Sequence, residues 1–254
     1  MNIPPNWEVI SKAKSPYDPI QVICKGSNNK IQYLYNPLWN ILREVLKFKK
    51  MKSLTNVLVH YKPDNSDLGQ LLWLMFSTCI RTGNNTNNSD HSGLLGLKQK
   101  NLIISKNKVF LKFIGKSGVK HCIAITDRKS KKFLKSKKNT GKENKLFQTT
   151  GIQLNDYLKK LWGQRFSCKD IRTYQANVKL IEELMKKSNK TPKQHFEYSL
   201  QESAELLGHT KNVSKKSYIC PSIKEVFLSE TEKFKRARKS SSMLLYCLNH
   251  YFNN

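Results

Sequence analysis

The sequence has few acidic residues. Its 254 residues include 18 Asp and Glu but 46 Lys and Arg, so the formal net charge at pH 7 is +28. Solubility alone requires a much smaller charge, and an excess of this size indicates a polyanionic partner. Nucleic acid is the partner that this composition favours.

Long apolar runs are also lacking. The longest ones, such as Leu71–Phe76, fall far short of the roughly 20 residues that a membrane-spanning helix needs. The first residues carry Pro4 and Pro5 where a signal peptide would have a basic start and an apolar stretch. We therefore expect a soluble protein without membrane association or secretion, long enough for one large or two modest domains.

Cysteines at metal-binding spacing are absent. The sequence has no CxxC pair and no set of histidines at zinc spacing near a cysteine. The six cysteines are Cys24, Cys79, Cys122, Cys168, Cys220 and Cys247. Their ordinary interpretation is buried free thiols in a reducing intracellular compartment, and we expect neither a metal site nor a cofactor.

The N-terminal part of the chain predicts a small β-rich lobe. Two strand-like runs, Ile20–Ile23 and Ile31–Tyr35, flank a turn that contains glycine and asparagine. A basic helical segment follows from Pro37. The polar stretch Tyr61–Asp67 indicates a break, and we place a domain boundary after residue 62.

Beyond that boundary the pattern changes to helix and then to a hairpin. Apolar residues recur on one helix face up to Cys79, with Ser66 or Asp67 as the N-cap. Farther on, strand-like runs on both sides of Gly115–Gly118 predict a β-hairpin with Lys116 at its tip. The next stretch, residues 126–145, is rich in lysine and poor in apolar residues, which predicts a solvated, mobile loop.

Three helices are predicted in the C-terminal part, followed by a last one from Ser242. The first begins after Gly151, the second after Ser167, and the third at the capping-box pattern Ser199–Glu202, with its end at Gly208. His209 and Tyr218 follow this third helix. Nine residues separate them, about half a turn out of phase on one straight helix, so the chain must bend if the two cooperate.

Seven short blocks occur in an informative order. They are Ile3–Trp7 (IPPNW), Gln32–Tyr35 (QYLY), Ile80–Asn84 (IRTGN), Gly115–Gly118 (GKSG), Lys169–Tyr174 (KDIRTY), Leu207–Thr210 (LGHT) and Ser214–Tyr218 (SKKSY). In order and spacing they resemble the blocks of the poxvirus-type type IB DNA topoisomerases, which belong to the tyrosine recombinase and topoisomerase IB superfamily. The resemblance covers most of the chain.

The resemblance implies a set of five catalytic residues: Arg81, Lys116, Arg172, His209 and Tyr218. Attack of a tyrosine oxygen on a DNA phosphodiester places extra negative charge on the nonbridging oxygens, which two arginines and a histidine can stabilise. The leaving 5′ oxygen needs a proton, and the resemblance assigns this role to the lysine as general acid, with Lys169 as an auxiliary. The tyrosine then holds the 3′ phosphate covalently.

The resemblance further implies an α+β protein with the DNA breaking-rejoining enzyme fold. Residues 1–62 would form an N-terminal DNA-clamp lobe and residues 63–254 a mainly α-helical catalytic domain with a β-hairpin. Its substrate would be double-stranded DNA, with no small-molecule cofactor, and the protein a monomer of viral type. The side chains expected to contact DNA are Tyr33, Tyr35, Asn177, Lys215 and Lys216.

The sequence departs from the family in two places. The family usually carries further β structure before the IPPNW block, so we expect a shortened clamp lobe. Gln175 stands where small residues are common, which predicts a local change in packing.

Two other functions share part of this pattern. A tyrosine recombinase or integrase uses the same five residue types but synapses two duplexes, and the IPPNW and QYLY blocks favour a topoisomerase instead. A noncatalytic basic DNA-binding protein is the second alternative, and the intact set of five residues argues against it.

Overall fold

The structure is a computed structural model that describes residues 2–83 and 92–253. Residues 1–49 and 50–254 form two compact units. Helix α1 (Pro37–Leu58) begins in the first unit and ends in the second. The domain boundary placed after residue 62 stays a prediction, and Asn84 of the IRTGN block lies outside the described residues.

The first unit contains an antiparallel sheet in the order β1-β2-β3. Its strands are β1 (Glu8–Lys12), β2 (Ile20–Lys25) and β3 (Ile31–Tyr35). The predicted hairpin is confirmed as β2 and β3, with Ile23 opposite Tyr33. Val22 and Cys24 alternate into the core because successive side chains of a strand point to opposite faces.

The second unit is mainly helical. Its helices within the described residues are α2 (Asp67–Thr78), α3 (Arg128–Ser136), α4 (Gly151–Trp162), α5 (Cys168–Leu184), α6 (Pro192–Leu207), α7 (Lys211–Ser217), α8 (Pro221–Ser229), α9 (Thr231–Arg236) and α10 (Ser240–Asn253). Together with the sheet of the first unit, this composition confirms the α+β class.

Helix α5 is the centre of this unit. It packs against α2, α4, α6, α9 and α10, and 12 of its 17 residues are buried. The apolar ones, such as Ile171 and Ile181, are fully enclosed, and each such side chain contributes roughly 1.5–3 kcal/mol by leaving water. Any polar side chain that α5 carries inward is therefore fixed by surrounding structure on all sides.

A second antiparallel sheet lies in the same unit, in the order β4-β5-β6. Its strands are β4 (Leu102–Ser105), β5 (Lys108–Ile114) and β6 (Lys120–Ala124). The predicted hairpin with Lys116 in its turn is confirmed. The Gly115 N–H donates to the Val119 carbonyl at 2.7 Å, and Ser117 and Gly118 both have positive φ angles, which close the turn.

The prediction of a mobile loop over residues 126–145 was wrong for the part that forms a helix. Residues 128–136 form α3, whose N-cap Asp127 accepts a hydrogen bond from the Ser130 N–H at 2.7 Å. Phe133 and Leu134 are buried on the inner face of the helix, while lysines occupy much of its outer face. Two apolar side chains and one cap are enough to fold the segment onto α2, and the basic composition concealed them.

The predicted start of the third C-terminal helix was also wrong. Helix α6 begins at Pro192, where Thr191 and Gln194 form the capping box, whereas Ser199 is buried within the helix. Proline is favoured in the first turn because its missing N–H is not needed there. The segment from Thr191 to Leu207 has two capping-box patterns, Thr191–Gln194 and Ser199–Glu202, and only the earlier one coincides with a proline.

The cysteines follow the prediction with one exception. Five are buried, and Cys122 on β6 is exposed. Burial raises the pKa of Cys79, Cys168 and Cys247 to about 12, so these three remain protonated thiols at neutral pH.

None of the helices in residues 2–83 and 92–253 combines the length and the apolar composition of a membrane span.

Candidate active site

Arg81 follows directly on the end of α2. The N-cap of this helix is Ser66, whose Oγ accepts from the Gly69 N–H at 3.0 Å. Cys79 ends the helix in the left-handed region, with φ 55°, and turns the chain away from the helix axis. The Arg81 carbonyl accepts from the Leu94 N–H at 2.7 Å, which fixes the backbone on which the guanidinium is carried.

Arg172 joins two of the chain segments that form the site. Its guanidinium, on α5, donates to the Cys79 carbonyl and, at 3.0 Å, to the Leu207 carbonyl. Each acceptor lies two residues before a predicted catalytic residue, Arg81 in one case and His209 in the other. Only 4% of Arg172 is exposed, so this cation is held rigidly between the two segments.

The LGHT block forms the junction between α6 and α7. Gly208 ends α6 in the left-handed conformation with φ 63°, and Thr210 caps α7 by accepting from the Val213 N–H at 3.4 Å. Between these two caps, His209 lies at the corner where the helix direction changes. The predicted bend between His209 and Tyr218 is thereby confirmed, and their ring centroids are 4.8 Å apart.

His209 is a neutral imidazole in this environment. Burial, and then repulsion from Arg172 and Arg81, lower its pKa to about 4. Arg81 Nη2 lies 2.5 Å from His209 Nε2, and because a guanidinium can only donate, Nε2 is the acceptor and the ring proton is on Nδ1. The side chains of Arg81 and His209 therefore meet and are joined by a hydrogen bond.

Tyr218 ends helix α7 and is held through its backbone by Asn177. The Asn177 Nδ2 donates to the Tyr218 carbonyl at 2.8 Å, and its Oδ1 accepts from the Cys220 N–H at 2.8 Å. The Tyr218 side chain is only 7% exposed. Its ring packs on the His209 ring. Burial lowers the pKa of the Arg172 guanidinium, and the interaction of this group with the Tyr218 phenol opposes that shift.

Lys116 completes the site from the hairpin side. With Arg81, Arg172 and His209 it lines a cavity of about 310 Å³. Among the described residues, Arg172 Nε and His209 Nδ1 are buried atoms without a hydrogen-bond partner. The cavity thus presents two guanidinium groups, one ammonium group and an imidazole, a set suited to a phosphate group with its nonbridging oxygens. Tyr218 is not part of the cavity wall.

Several curated proteins with similar sequences are viral enzymes. The DNA topoisomerase 1B of Acanthamoeba polyphaga mimivirus is 26% identical over 271 residues, covering 92% of this chain and 80% of the relative. The DNA topoisomerase 1B of vaccinia virus (strain Copenhagen) is 26% identical over 230 residues, covering 85% and 70%. The DNA topoisomerase I of monkeypox virus is 24% identical over 225 residues, with the same coverage.

A family model described as the catalytic core of eukaryotic DNA topoisomerase I matches residues 42–243, well over half of the chain. This chain belongs to the type IB DNA topoisomerase family. All five predicted catalytic residues lie within the matched range.

The other predicted residues of this topoisomerase lie outside the cavity. Lys169 is exposed on the first turn of α5, and Lys215 and Lys216 are exposed on α7 next to the tyrosine. In the first unit, Tyr33 is 46% exposed, and the Tyr35 ring lies beneath the Arg43 guanidinium at 4.9 Å. Roles in DNA binding for these residues stay predictions.

Two residues, Asn177 and His121, lie in positions that the sequence did not predict. Asn177 was expected to contact DNA, but it is fully buried, and its amide is engaged with the backbone around Tyr218. His121 on β6 lines the cavity and was not singled out as functional. Gln175 Nε2 donates to the Phe76 carbonyl at 2.8 Å, and the packing change expected at this position stays a prediction.

Within residues 2–83 and 92–253, no three His, Cys, Asp or Glu side chains lie close enough together to hold a metal ion.

Proposed function

We propose that this DNA topoisomerase relaxes supercoiled duplex DNA by cutting one strand through Tyr218 and resealing it, with neither ATP nor a metal ion. The observation that carries the proposal is the convergence of Arg81, Arg172, His209 and Lys116 on one cavity, with the Tyr218 ring against His209. A scissile phosphate in this cavity would meet a cation on several sides.

The arginines and His209 would stabilise the charge that develops on the phosphate. A guanidinium can place two N–H groups on two oxygens of one phosphate, and Arg172 is already fixed by the Cys79 and Leu207 carbonyls. Fixed cations need no reorganisation when negative charge appears on the nonbridging oxygens. A bound phosphate would also draw Arg81 away from His209 Nε2 and raise the pKa of the imidazole, so that His209 can donate a hydrogen bond.

Lys116 would act as the general acid. The Tyr218 phenol would give up its proton to solvent as its oxygen forms a bond to phosphorus. The bond from phosphorus to the 5′ oxygen then breaks, and the departing oxygen takes a proton from the Lys116 ammonium group, which is left as a neutral amine. Lys116 is exposed in a hairpin turn, where its long side chain can reach the far side of the phosphate from the tyrosine.

Tyr218 would remain bound to the 3′ phosphate while the free 5′ end rotates. The phosphodiester energy is then retained in the phosphotyrosine, which removes the need for ATP in religation. The phenol is nearly buried and already interacts with the Arg172 guanidinium, which lines the cavity, so the attack would start beside this cation. The Asn177 contacts would hold the Tyr218 backbone in place during the attack.

The DNA surface would combine nonspecific phosphate contacts with the exposed basic side chains of α7. Lys215 and Lys216 flank the tyrosine on the exposed side of that helix, and Tyr33 and Tyr35 would contact DNA from the first unit. With a net charge of +28, binding should weaken strongly as salt rises, because counterions are released from the DNA. We propose a monomer as the working form.

A plasmid assay tests this function. Negatively supercoiled plasmid is incubated in EDTA without ATP with the wild type, with Tyr218→Phe, which keeps the ring packed on His209, and with Tyr174→Phe as a control for losing a buried phenol elsewhere. Relaxation by the wild type and Tyr174→Phe, but not by Tyr218→Phe, is expected. Equal relaxation by all three would contradict the role of Tyr218, and recombined plasmids would favour a recombinase.

A further inference from the structure

His121 is a second histidine at the cavity, and the proposed mechanism does not use it. It lies on β6 opposite Phe113 of β5, and the two rings are stacked with centroids 4.7 Å apart and an interplanar angle of 17°. Burial, followed by repulsion from Arg172 and Arg81, lowers the pKa of His121. The stacking on Phe113 points to a role in packing.

The His121 ring fills the space beside two glycines. A Cβ atom added to Gly115 would lie 2.6 Å from His121 Nε2, and one added to Gly208 would lie 2.4 Å from His121 Cε1. Gly115 immediately precedes Lys116, and Gly208 immediately precedes His209. One ring therefore contacts the backbone next to the proposed general acid and the backbone next to a phosphate-binding residue.

The two glycines are required for different reasons. Gly208 has φ 63° and ends α6 in a conformation that favours glycine in any case. Gly115 has φ −90°, which every residue adopts, so its backbone does not need a glycine. A side chain at position 115 would collide with the His121 ring. The nearest atom outside that ring, the Val119 carbonyl oxygen, would be at an ordinary contact distance of 3.6 Å from the added Cβ.

We propose that His121 is a positioning residue that holds the Lys116 hairpin against the end of α6, so that Lys116 and His209 face the same phosphate. This inference rests on the proposed function. The ring is supported by Phe113 on the hairpin and contacts the α6 cap at Gly208. Loss of the ring would free the hairpin turn without removing any phosphate-binding side chain.

A substrate with sulfur in place of the bridging 5′ oxygen tests this role. A thiolate leaves without protonation far more readily than an alkoxide, so cleavage of the sulfur substrate does not need the general acid. Wild type, His121→Ala and Lys116→Ala are compared on matched duplexes with oxygen or sulfur at the cleavage site. Arg81→Ala serves as a phosphate-binding reference, and Cys122→Ala, an exposed neighbour on β6, is the matched control.

The expected result is a selective defect. His121→Ala should cleave the oxygen substrate about 10- to 100-fold more slowly, the loss typical of a misplaced catalytic group, and the sulfur substrate at nearly the wild-type rate. Lys116→Ala should show the same selectivity, Arg81→Ala should be slow on both substrates, and Cys122→Ala should be normal. Cleavage of the sulfur substrate also shows that the variant is folded.

Other outcomes separate the two proposals. Equal losses on both substrates, or no loss, for His121→Ala would overturn the positioning role while leaving the proposed function intact. Failure of the wild type to cleave the sulfur substrate, or cleavage of it by Tyr218→Phe, would overturn the proposed function itself.

A double-mutant cycle supplies an independent readout. Gly115→Ala should slow cleavage of the oxygen substrate because its methyl group displaces the imidazole. In the His121→Ala background the same change has nothing to displace, so the double variant should be no slower than His121→Ala alone. Multiplicative losses would show that Gly115 and His121 act separately and would overturn the inference.

Discussion

The two sides of the cavity are built differently. On one side, Arg172 is buried in the helical core and bonded to the ends of α2 and α6. On the other side, Lys116 is exposed in a hairpin turn. The first arrangement suits groups that must already be in place when charge develops, and the second suits a proton donor that approaches a leaving group. A change at Arg172 should therefore lower both the stability of the fold and the rate of cleavage. A change at Lys116 should lower the rate of cleavage alone.

Arg172→Ala should have the largest effect, because it should both slow cleavage and destabilise the fold. We expect cleavage to slow by about 10²–10³-fold, as for other donors to developing charge. We also expect the free energy of unfolding to fall by about 1–3 kcal/mol for each carbonyl left without its donor. Urea denaturation and single-turnover cleavage measure the two losses, with the exposed Arg165→Ala as control. An inactive variant of wild-type stability would refute the anchoring role of Arg172.

Lys116→Ala should show the opposite behaviour. The rate of cleavage should fall by about 10²–10⁴-fold with the loss of a general acid. The free energy of unfolding should change by no more than about 0.5 kcal/mol, because an exposed turn residue is replaced. The same two measurements apply. A marked loss of stability would mean that both sides of the cavity are structural and that the contrast does not hold.

Asn177→Ala should disturb the placement of Tyr218 without changing the residues that bind the phosphate. The variant removes the contacts with the Tyr218 carbonyl and the Cys220 N–H, and we expect a loss of about 1–3 kcal/mol in stability and slower cleavage with unchanged affinity for DNA. Asn155 is a matched control, since it joins the Gly151 carbonyl and the Cys168 N–H in the same manner. Equal cleavage defects in the two variants would mean that Asn177 acts only through general stability.

The smallest predicted effect is a loss of folding stability at acidic pH, caused by His209. The folded-state pKa of His209 is about 4, below the ordinary value of roughly 6.5. Above pH 6.5 the imidazole is neutral in both states and changes nothing. As the pH falls from 6.5 towards 4, the unfolded state binds a proton that the folded state does not, so stability decreases.

His209→Gln should remove part of that dependence. Urea denaturation at pH 7 and pH 5 should show a smaller difference for the variant than for the wild type. His121, whose pKa is lowered for similar reasons, contributes in the same direction and remains in both proteins. Identical differences would show that the His209 environment does not disfavour the charged ring.

The sequence predicts those parts of the molecule that depend on local signals. The cap at Ser66, the hairpin around Lys116 and the helix end at Gly208 follow from residue types within a few positions of one another. The bend between His209 and Tyr218 follows from helix periodicity once the two residues are taken to cooperate, as the resemblance implies. The five residues predicted to be catalytic follow from the order of the short blocks and the resemblance that they carry, since no single block is informative by itself.

Other features depend on partners that leave no local signal. The Arg172 guanidinium binds backbone carbonyls, which every residue possesses, so the sequence does not indicate its anchors. Asn177 reaches Tyr218 across 41 positions, a pairing that only the packing of α5 creates. Helix α3 was missed because its two buried side chains stand among many lysines, and average composition hides them.

The most direct test of the central claim is the identity of the residue that becomes attached to DNA. The wild type is incubated with a nicked duplex from which the short downstream fragment, with its new 5′ hydroxyl, diffuses away after cleavage. The product is then denatured and digested, and the DNA-linked peptide is sequenced by mass spectrometry. We expect a 3′-phosphate ester on Tyr218 alone among the ten tyrosines. An adduct on any other residue, or cleavage without covalently bound DNA, would contradict it.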